Sequence, residues 1–352
     1  FFFVLGMFIY GMQIMAQGLE NAAGSKMKSL LEALTRNKFM GVVLGALITA
    51  VIQSSSATTV MVVSFVNSGL MNLYQAAGVI LGANIGTTVT GQLIAFNLSD
   101  VAPLFVIVGV IMFMFSKNQN VKKIGGVVLG FGILFMGLST MSDAMSALKE
   151  SPQILGLLQS LTSPLAAILV GFLVTAVLQI SSATVGIVIL MANQGMLDFI
   201  ICPFLILGCN IGSCVSALLA SLGGKKEAKR AAWIHFLFNL IGSTIIFGVL
   251  MLALKPITDV FMAVSGGNPG RAVANAHTAI KIAEVILLFP FMTWVVKATY
   301  KIIPGKDVKP ANDYQLKYIS NTATPVAATA VVDAILELQH MGELARTNLK
   351  VS

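Results

Sequence analysis

The stretch Gln53-Ser54-Ser55-Ser56-Ala57-Thr58 sets five hydrogen-bonding side chains in a run otherwise rich in Val, Ile, Leu and Ala, and the pattern returns as Gln179-Ile180-Ser181-Ser182-Ala183-Thr184. In an apolar medium each unsatisfied hydroxyl or amide is costly, so these groups need partners, and a solute can supply them. Small hydroxyl residues also line helix–helix contacts. That simpler account suits one such cluster better than two copies of it. A second duplicated pattern follows each: Gly82-Ala83-Asn84-Ile85-Gly86-Thr87-Thr88 and Gly208-Cys209-Asn210-Ile211-Gly212-Ser213-Cys214. Glycines weaken helices. An interrupted helix offers N–H groups to an anion, and freed carbonyls and hydroxyls to a hard cation such as Na⁺. Close helix packing through glycine is the competing reading.

These residues sit in an apolar setting. Of 352 residues, 57% are hydrophobic and only 10% are Asp, Glu, Lys or Arg; soluble chains average about 25% charged. Residues 39 to 116 carry one formal charge, Asp100, and residues 151 to 224 carry one, Asp198. Such runs far exceed the ~20 apolar residues that cross a bilayer, and they are continuous rather than alternating, which excludes a β-barrel. The net charge of +8 comes from short basic clusters between apolar segments, the pattern of cytoplasmic loops rather than of nucleic-acid binding. Cys202, Cys209 and Cys214 have no His or Asp at metal-ligand spacing and read as packing residues. The chain lacks H-E-x-x-H, G-x-S-x-G and Walker signatures, so an enzyme is not expected. His235 with Asn239, and His277 with Lys281, repeat an i, i+4 spacing that suits structural hydrogen bonds, and Lys281 and Glu284, one turn apart, can neutralise one another.

The two motif sets share an offset of 126 residues, as from Gln53 to Gln179, and aligning 41–90 with 167–216 gives 20 identities in 50 positions. Loop charge sets their orientation. Residues 26–38 hold Lys26, Lys28, Arg36 and Lys38, while the matching 152–164 holds no basic residue. After the motifs the bias reverses, with only Asp100 in 97–101 against Lys225, Lys226, Lys229 and Arg230 in 223–230. Inverted repeats account for both reversals. An odd number of crossings across 41–95 then makes 41–68 a re-entrant hairpin with its tip at 53–58, and 75–95 a crossing interrupted at 82–86; 167–194 and 200–222 are their counterparts. The fold expected is an all-α polytopic membrane protein of two inverted-topology repeats, each with a re-entrant hairpin and a broken transmembrane helix. Its parts are repeat 1 (1–100), a connecting helix and cytoplasmic loop (101–126), repeat 2 (127–224), additional helices (225–303, including crossings at 231–254 and 274–296), and a cytoplasmic segment (304–352) with a helix starting at Thr324-Pro325.

The paired Q-S-S-S-A-T-T and Q-I-S-S-A-T segments, each followed by G-x-N-I-G-[TS], resemble the type II sodium/phosphate cotransporter family over about 1–300. His235-Phe236-Leu237-Phe238-Asn239 and Ala274-Asn275-Ala276-His277-Thr278 also look like stretches of that family. From 311 the chain resembles the linker and first helix of the PhoU-type domain that some bacterial members carry. The resemblance implies Na⁺-coupled symport of inorganic phosphate across the bacterial inner membrane, with both tips facing one site, sodium as the co-transported ion, no organic cofactor, a cytoplasmic C-terminus and contact with the lipid bilayer; a homo-oligomer is left open. Phosphate contacts are then expected from Gln53, Ser54, Ser55, Ser56, Gln179, Ser181 and Ser182, supported by Asn84 and Asn210. Na⁺ ligation is expected from Thr58, Thr87, Thr88, Thr184 and Ser213. Two residues depart from the pattern: Ile180 takes the place of a serine, and Lys281 stands where a neutral Asn is expected. A sodium-coupled carboxylate carrier and a membrane phosphate sensor or scaffold are the alternatives.

Overall fold

The computed structural model describes residues 2–23, 38–96, 98–148, 163–305, 337–343 and 346. The loop residues 24–37 and 149–162 and the helix start at Thr324-Pro325 lie outside the described residues. The chain divides into two units, 1–305 and 306–352. The first is helical throughout its described part: α1 (Phe2–Ala23), α2 (Lys38–Ile52), α3 (Ser55–Asn67), α4 (Leu73–Gly86), α5 (Thr88–Ala95), α6 (Ala102–Val110), α7 (Gln119–Leu148), α8 (Pro164–Leu178), α9 (Ser181–Asn193), α10 (Cys202–Gly212), α11 (Val215–Ser221), α12 (Lys226–Val264), α13 (Pro269–Leu288) and α14 (Met292–Ile302). Of the second unit, 337–343 is helical.

Helices α2 and α3 have 15 and 13 residues, and α8 and α9 repeat those lengths, so each is shorter than the ~20 residues of a full crossing. Each pair is joined by a two-residue break whose first residue is a glutamine in left-handed backbone, Gln53 at φ 58° and Gln179 at φ 55°. Only these two non-glycine residues among those described have positive φ. Across each break a threonine hydroxyl ties the two helices together: Thr49 Oγ1 donates to Thr58 Oγ1 at 3.0 Å, and Thr175 Oγ1 donates to Thr184 Oγ1 at 3.0 Å.

Each first helix lies parallel and very close to the helix that follows the pair. A Cβ on Gly82 would run into the Val42 carbonyl oxygen, and one on Gly86 into that of Ala46; Gly208 and Gly212 stand in the same way against Ile168 and Phe172. The duplicated glycines therefore serve backbone approach, as in small-residue membrane helix interfaces. This corrects the expectation that these glycines break each helix and expose its backbone. The interruption is only Thr87 between α4 and α5, and Ser213-Cys214 between α10 and α11, all with helical φ/ψ. Thr87 N–H still reaches Ala83 O at 3.1 Å, and Ser213 N–H reaches Cys209 O at 3.0 Å.

Four helical stretches among the described residues are long and apolar enough to cross a membrane: Leu73–Ala95, Gln119–Ala144, Phe199–Ser221 and Lys226–Val264. The last, α12, bends where Ala253 leaves helical geometry, three residues before Pro256, whose ring has no room against a regular preceding turn. The span read at 274–296 is also not straight. Helix α13 ends at Leu288, and after Pro290 helix α14 turns through 81°. Large apolar side chains cover much of the exterior, with Leu252 90%, Val177 80% and Phe115 76% exposed. That surface suits lipid rather than water.

Two asparagines at equivalent positions close α3 and α9. Asn67 Oδ1 accepts from Lys225 N–H at 2.8 Å, at the start of α12, and Asn193 Oδ1 accepts from Gly270 N–H at 2.8 Å, at the start of α13. Near the same end as Lys225, the buried Arg230 donates to the carbonyls of Ile303 (3.0 Å from Nε) and Gly305, pairs with Glu227, and lies 4.1 Å over the Tyr300 ring, fastening the end of α14 to α12.

Candidate substrate site

Both glutamine turns open onto one cavity of about 220 Å³. The first tip contributes Gln53, Ser54, Ser55 and Ser56, the second Ile180, Ser181 and Ser182, with Thr87 from the α4–α5 junction and Met12, Gln13 and Ala16 from α1. Among the described residues, no Asp, Glu, Lys or Arg lines it. At roughly 30 Å³ per water molecule, the space suits a small solute.

Local sequence explains how the tips are held. Ser54 is the N-cap of α3, its Oγ accepting from Ala57 N–H at 3.1 Å. Ile180, its counterpart, has no side-chain acceptor and leaves the start of α9 without such a cap. Both helices begin at the cavity, so two helix N-termini with their unpaired N–H groups and positive dipole ends converge there. Gln53 is anchored: its Oε1 accepts from Thr90 Oγ1 at 2.7 Å and its Nε2 donates to Ala50 O. Ser56 Oγ donates to the Gln179 carbonyl at 3.3 Å and accepts from Ser216 Oγ at 3.2 Å, tying one tip to the other. Ser182 Oγ donates to Met12 Sδ at 3.3 Å. By contrast the hydroxyls of Ser55 and Ser181, another pair 126 apart, have no hydrogen-bond partner among the described residues.

Other expected residues lie elsewhere. Gln179 contributes its backbone to the tip–tip contact, while its side chain is exposed and outside the cavity lining. Asn84 and Asn210 turn away to a buried ion pair. Lys281 Nζ donates to Asn84 Oδ1 at 2.5 Å, Asn210 Nδ2 donates to Glu284 Oε1 at 3.2 Å, and Lys281 Nζ lies 3.8 Å from Glu284 Oε2. Of the hydroxyls expected for Na⁺, Thr87 alone lines the cavity. Thr58 donates to Ser54 O at 3.1 Å, Thr88 to Ile85 O at 2.8 Å and Ser213 to Asn210 O at 2.7 Å, and Thr184 accepts from Thr175. Sequence reasoning missed Gln13, whose one signal was a polar amide following the largely apolar first half of α1.

Duplicated polar tips that meet in a cavity inside an apolar helical bundle define a membrane carrier. Residues 7–143 and 145–266 match the Na⁺/Pi-cotransporter family, to which the chain belongs. Among its relatives is the uncharacterized protein YqeW of Bacillus subtilis (strain 168), 28% identical over 85% of this chain and 96% of that one. The putative inorganic phosphate export protein YjbB of Escherichia coli (strain K12) is 26% identical over 96% of this chain, which spans 62% of YjbB's length. Sodium-dependent phosphate transport protein 2A of Ovis aries is 36% identical over 93 residues, 26% of this chain and 15% of that protein. No solved structure matches the chain. The family, YjbB and transport protein 2A are named for transport, and the chain is not an enzyme.

Proposed function

We propose that the chain moves inorganic phosphate across a bacterial inner membrane by Na⁺-coupled symport, with phosphate held between the two tips. The convergence of two helix N-termini and the free hydroxyls of Ser55 and Ser181 on one cavity that no basic side chain lines among the described residues carries this reading. N–H groups and hydroxyls recognise an anion, while the missing positive charge must come from co-bound cations. Gln53, Ser54, Ser55, Ser56, Ser181 and Ser182 are the proposed phosphate contacts. Thr87, Thr88 and Ser213 are proposed for Na⁺; the last two donate their protons to carbonyls and keep lone pairs for a cation. Thr58 and Thr184 serve the tips' own architecture. One relative is named for phosphate export and another for sodium-dependent transport. For a gradient-driven carrier both directions are one mechanism, with net flux set by the combined gradients.

The inverted, re-entrant topology belongs to the same reading, and the asparagine caps support it. Helices α12 and α13 are consecutive and packed together, so their starts face opposite sides, and Asn67 and Asn193 are bound to one start each. Repeat 1 is then 1–100 and repeat 2 is 127–224; the basic ends and the segment from 304, which we take as the start of a PhoU-like domain, face the cytoplasm. Labelled phosphate uptake into proteoliposomes tests the function. Uptake that needs a Na⁺ gradient and resists dicarboxylate competition is expected; Na⁺-independent uptake, or displacement by dicarboxylates, overturns it.

A further inference from the structure

The ion pair behind the tips has the construction of a cation site. Lys281 Nζ sits among three oxygens from three helices: Asn84 Oδ1 of α4 at 2.5 Å, Asn239 Oδ1 of α12 at 2.8 Å and Glu284 Oε2 of α13 at 3.8 Å. Each asparagine is pinned with its oxygen turned inward, because Asn84 Nδ2 donates to Ile80 O at 3.0 Å and Asn239 Nδ2 donates to His235 O at 3.0 Å, each one turn back on its own helix. Glu284 is fixed through its other oxygen, Oε1, by Asn210 (3.2 Å) and Ser243 (3.1 Å), which leaves Oε2 without a hydrogen bond and aimed at the ammonium. All four members of the cage are at most 3% exposed. Two neutral amide oxygens and one carboxylate oxygen, held from behind and converging on a single positive charge, are the donors a hard monovalent cation takes in a membrane carrier.

We infer that Lys281 is a tethered cation: its ammonium permanently fills a Na⁺-type site formed by Asn84, Asn239 and Glu284. The charge there is supplied by the chain and does not exchange with solution. Two things follow. The locus stays neutral at every stage of a transport cycle, since Glu284 is paired whether or not Na⁺ is present. The chain also binds one Na⁺ fewer than it would with a small neutral residue at 281. The Na⁺-binding part of this inference stands apart from the phosphate reading, since the cage oxygens do not line the cavity between the tips.

Lys281→Ala in the full chain empties the cage without touching its oxygens. In phosphate-free detergent solution, with choline balancing ionic strength, ²²Na⁺ binding to Lys281→Ala should exceed wild type by one ion per chain, and its melting temperature should rise with Na⁺ more steeply than that of the wild type. Ethylammonium, a free stand-in for the lost side-chain end, should stabilise the variant and compete with the added Na⁺. Lys281→Ala/Glu284→Gln removes both charges and should fold without the additional Na⁺ response. Wild-type Na⁺ stoichiometry in folded Lys281→Ala overturns the inference. So does a Lys281→Ala protein that stays unfolded in high Na⁺ while the double variant folds. Since phosphate is absent throughout, these outcomes are separate from any failure of phosphate transport.

Discussion

Gln53 and Gln179, 126 positions apart, turn the chain through the same left-handed backbone, yet Gln53 Oε1 accepts a 2.7 Å hydrogen bond from the buried Thr90 while the Gln179 side chain is exposed. The backbones are equivalent and the side chains are not. Gln53→Ala strands the Thr90 hydroxyl, which is 1% exposed, and an orphaned buried hydroxyl costs about 1–3 kcal/mol. Gln179→Ala strands nothing. Thermal unfolding in detergent should show a clear loss for the first variant and a near-native second; equal losses would mean the two tips are held alike.

Ser55 and Ser181 are the hydroxyls to remove from the site, because neither supports another residue. A hydrogen bond to a charged partner is worth about 1.5–3 kcal/mol, so Ser55→Ala and Ser181→Ala should each raise the KM for phosphate roughly ten-fold or more at unchanged thermal stability. Unaltered uptake kinetics in both would return these serines to packing.

Phosphate and Na⁺ should be thermodynamically linked, each raising the other's affinity by the same factor. Titration of phosphate by calorimetry in Na⁺, and again in an organic cation at matched ionic strength, measures that factor directly. A ratio of one contradicts cation compensation at the tips.

Opposite membrane sides are expected for the ends of α3 and α9. Ser68→Cys and Asn193→Cys, at exposed positions just beyond and at those ends, should react with an impermeant maleimide from the cytoplasmic and external faces respectively. Reaction of both from one face contradicts inversion.

The tips could be read from sequence because small polar residues are conspicuous in an apolar run and the offset of 126 doubled the signal. Helix type and apolar exterior followed from the same arithmetic of length and charge. Where reading went astray, apolarity was taken as continuity. Residues 285–296 are largely apolar, so the 81° turn was hidden, although Pro290 marked it. Glycine has two uses, loosening a helix and admitting a neighbour, and composition cannot separate them; at Gly82 and Gly208 the neighbour's carbonyl decides for admission. Asn84 and Asn210 were drawn to the tips by proximity in sequence, whereas Lys281 and Glu284, some 200 and 74 residues further along, supply their partners in space.

The glycine contacts also bear on how such a carrier works. With carbonyls of α2 and α8 set against glycine backbone of α4 and α10, neither pair has slack for sliding or rolling, and each behaves as a single stiff plank. The tip-to-tip contacts are of another kind, chiefly the 3.3 Å Ser56–Gln179 bond beside a cavity of about 220 Å³. Motion that opens the cavity to one side and then the other must therefore fall on the seam between planks. A disulfide engineered within a plank should leave turnover intact, and one across the seam should stop it.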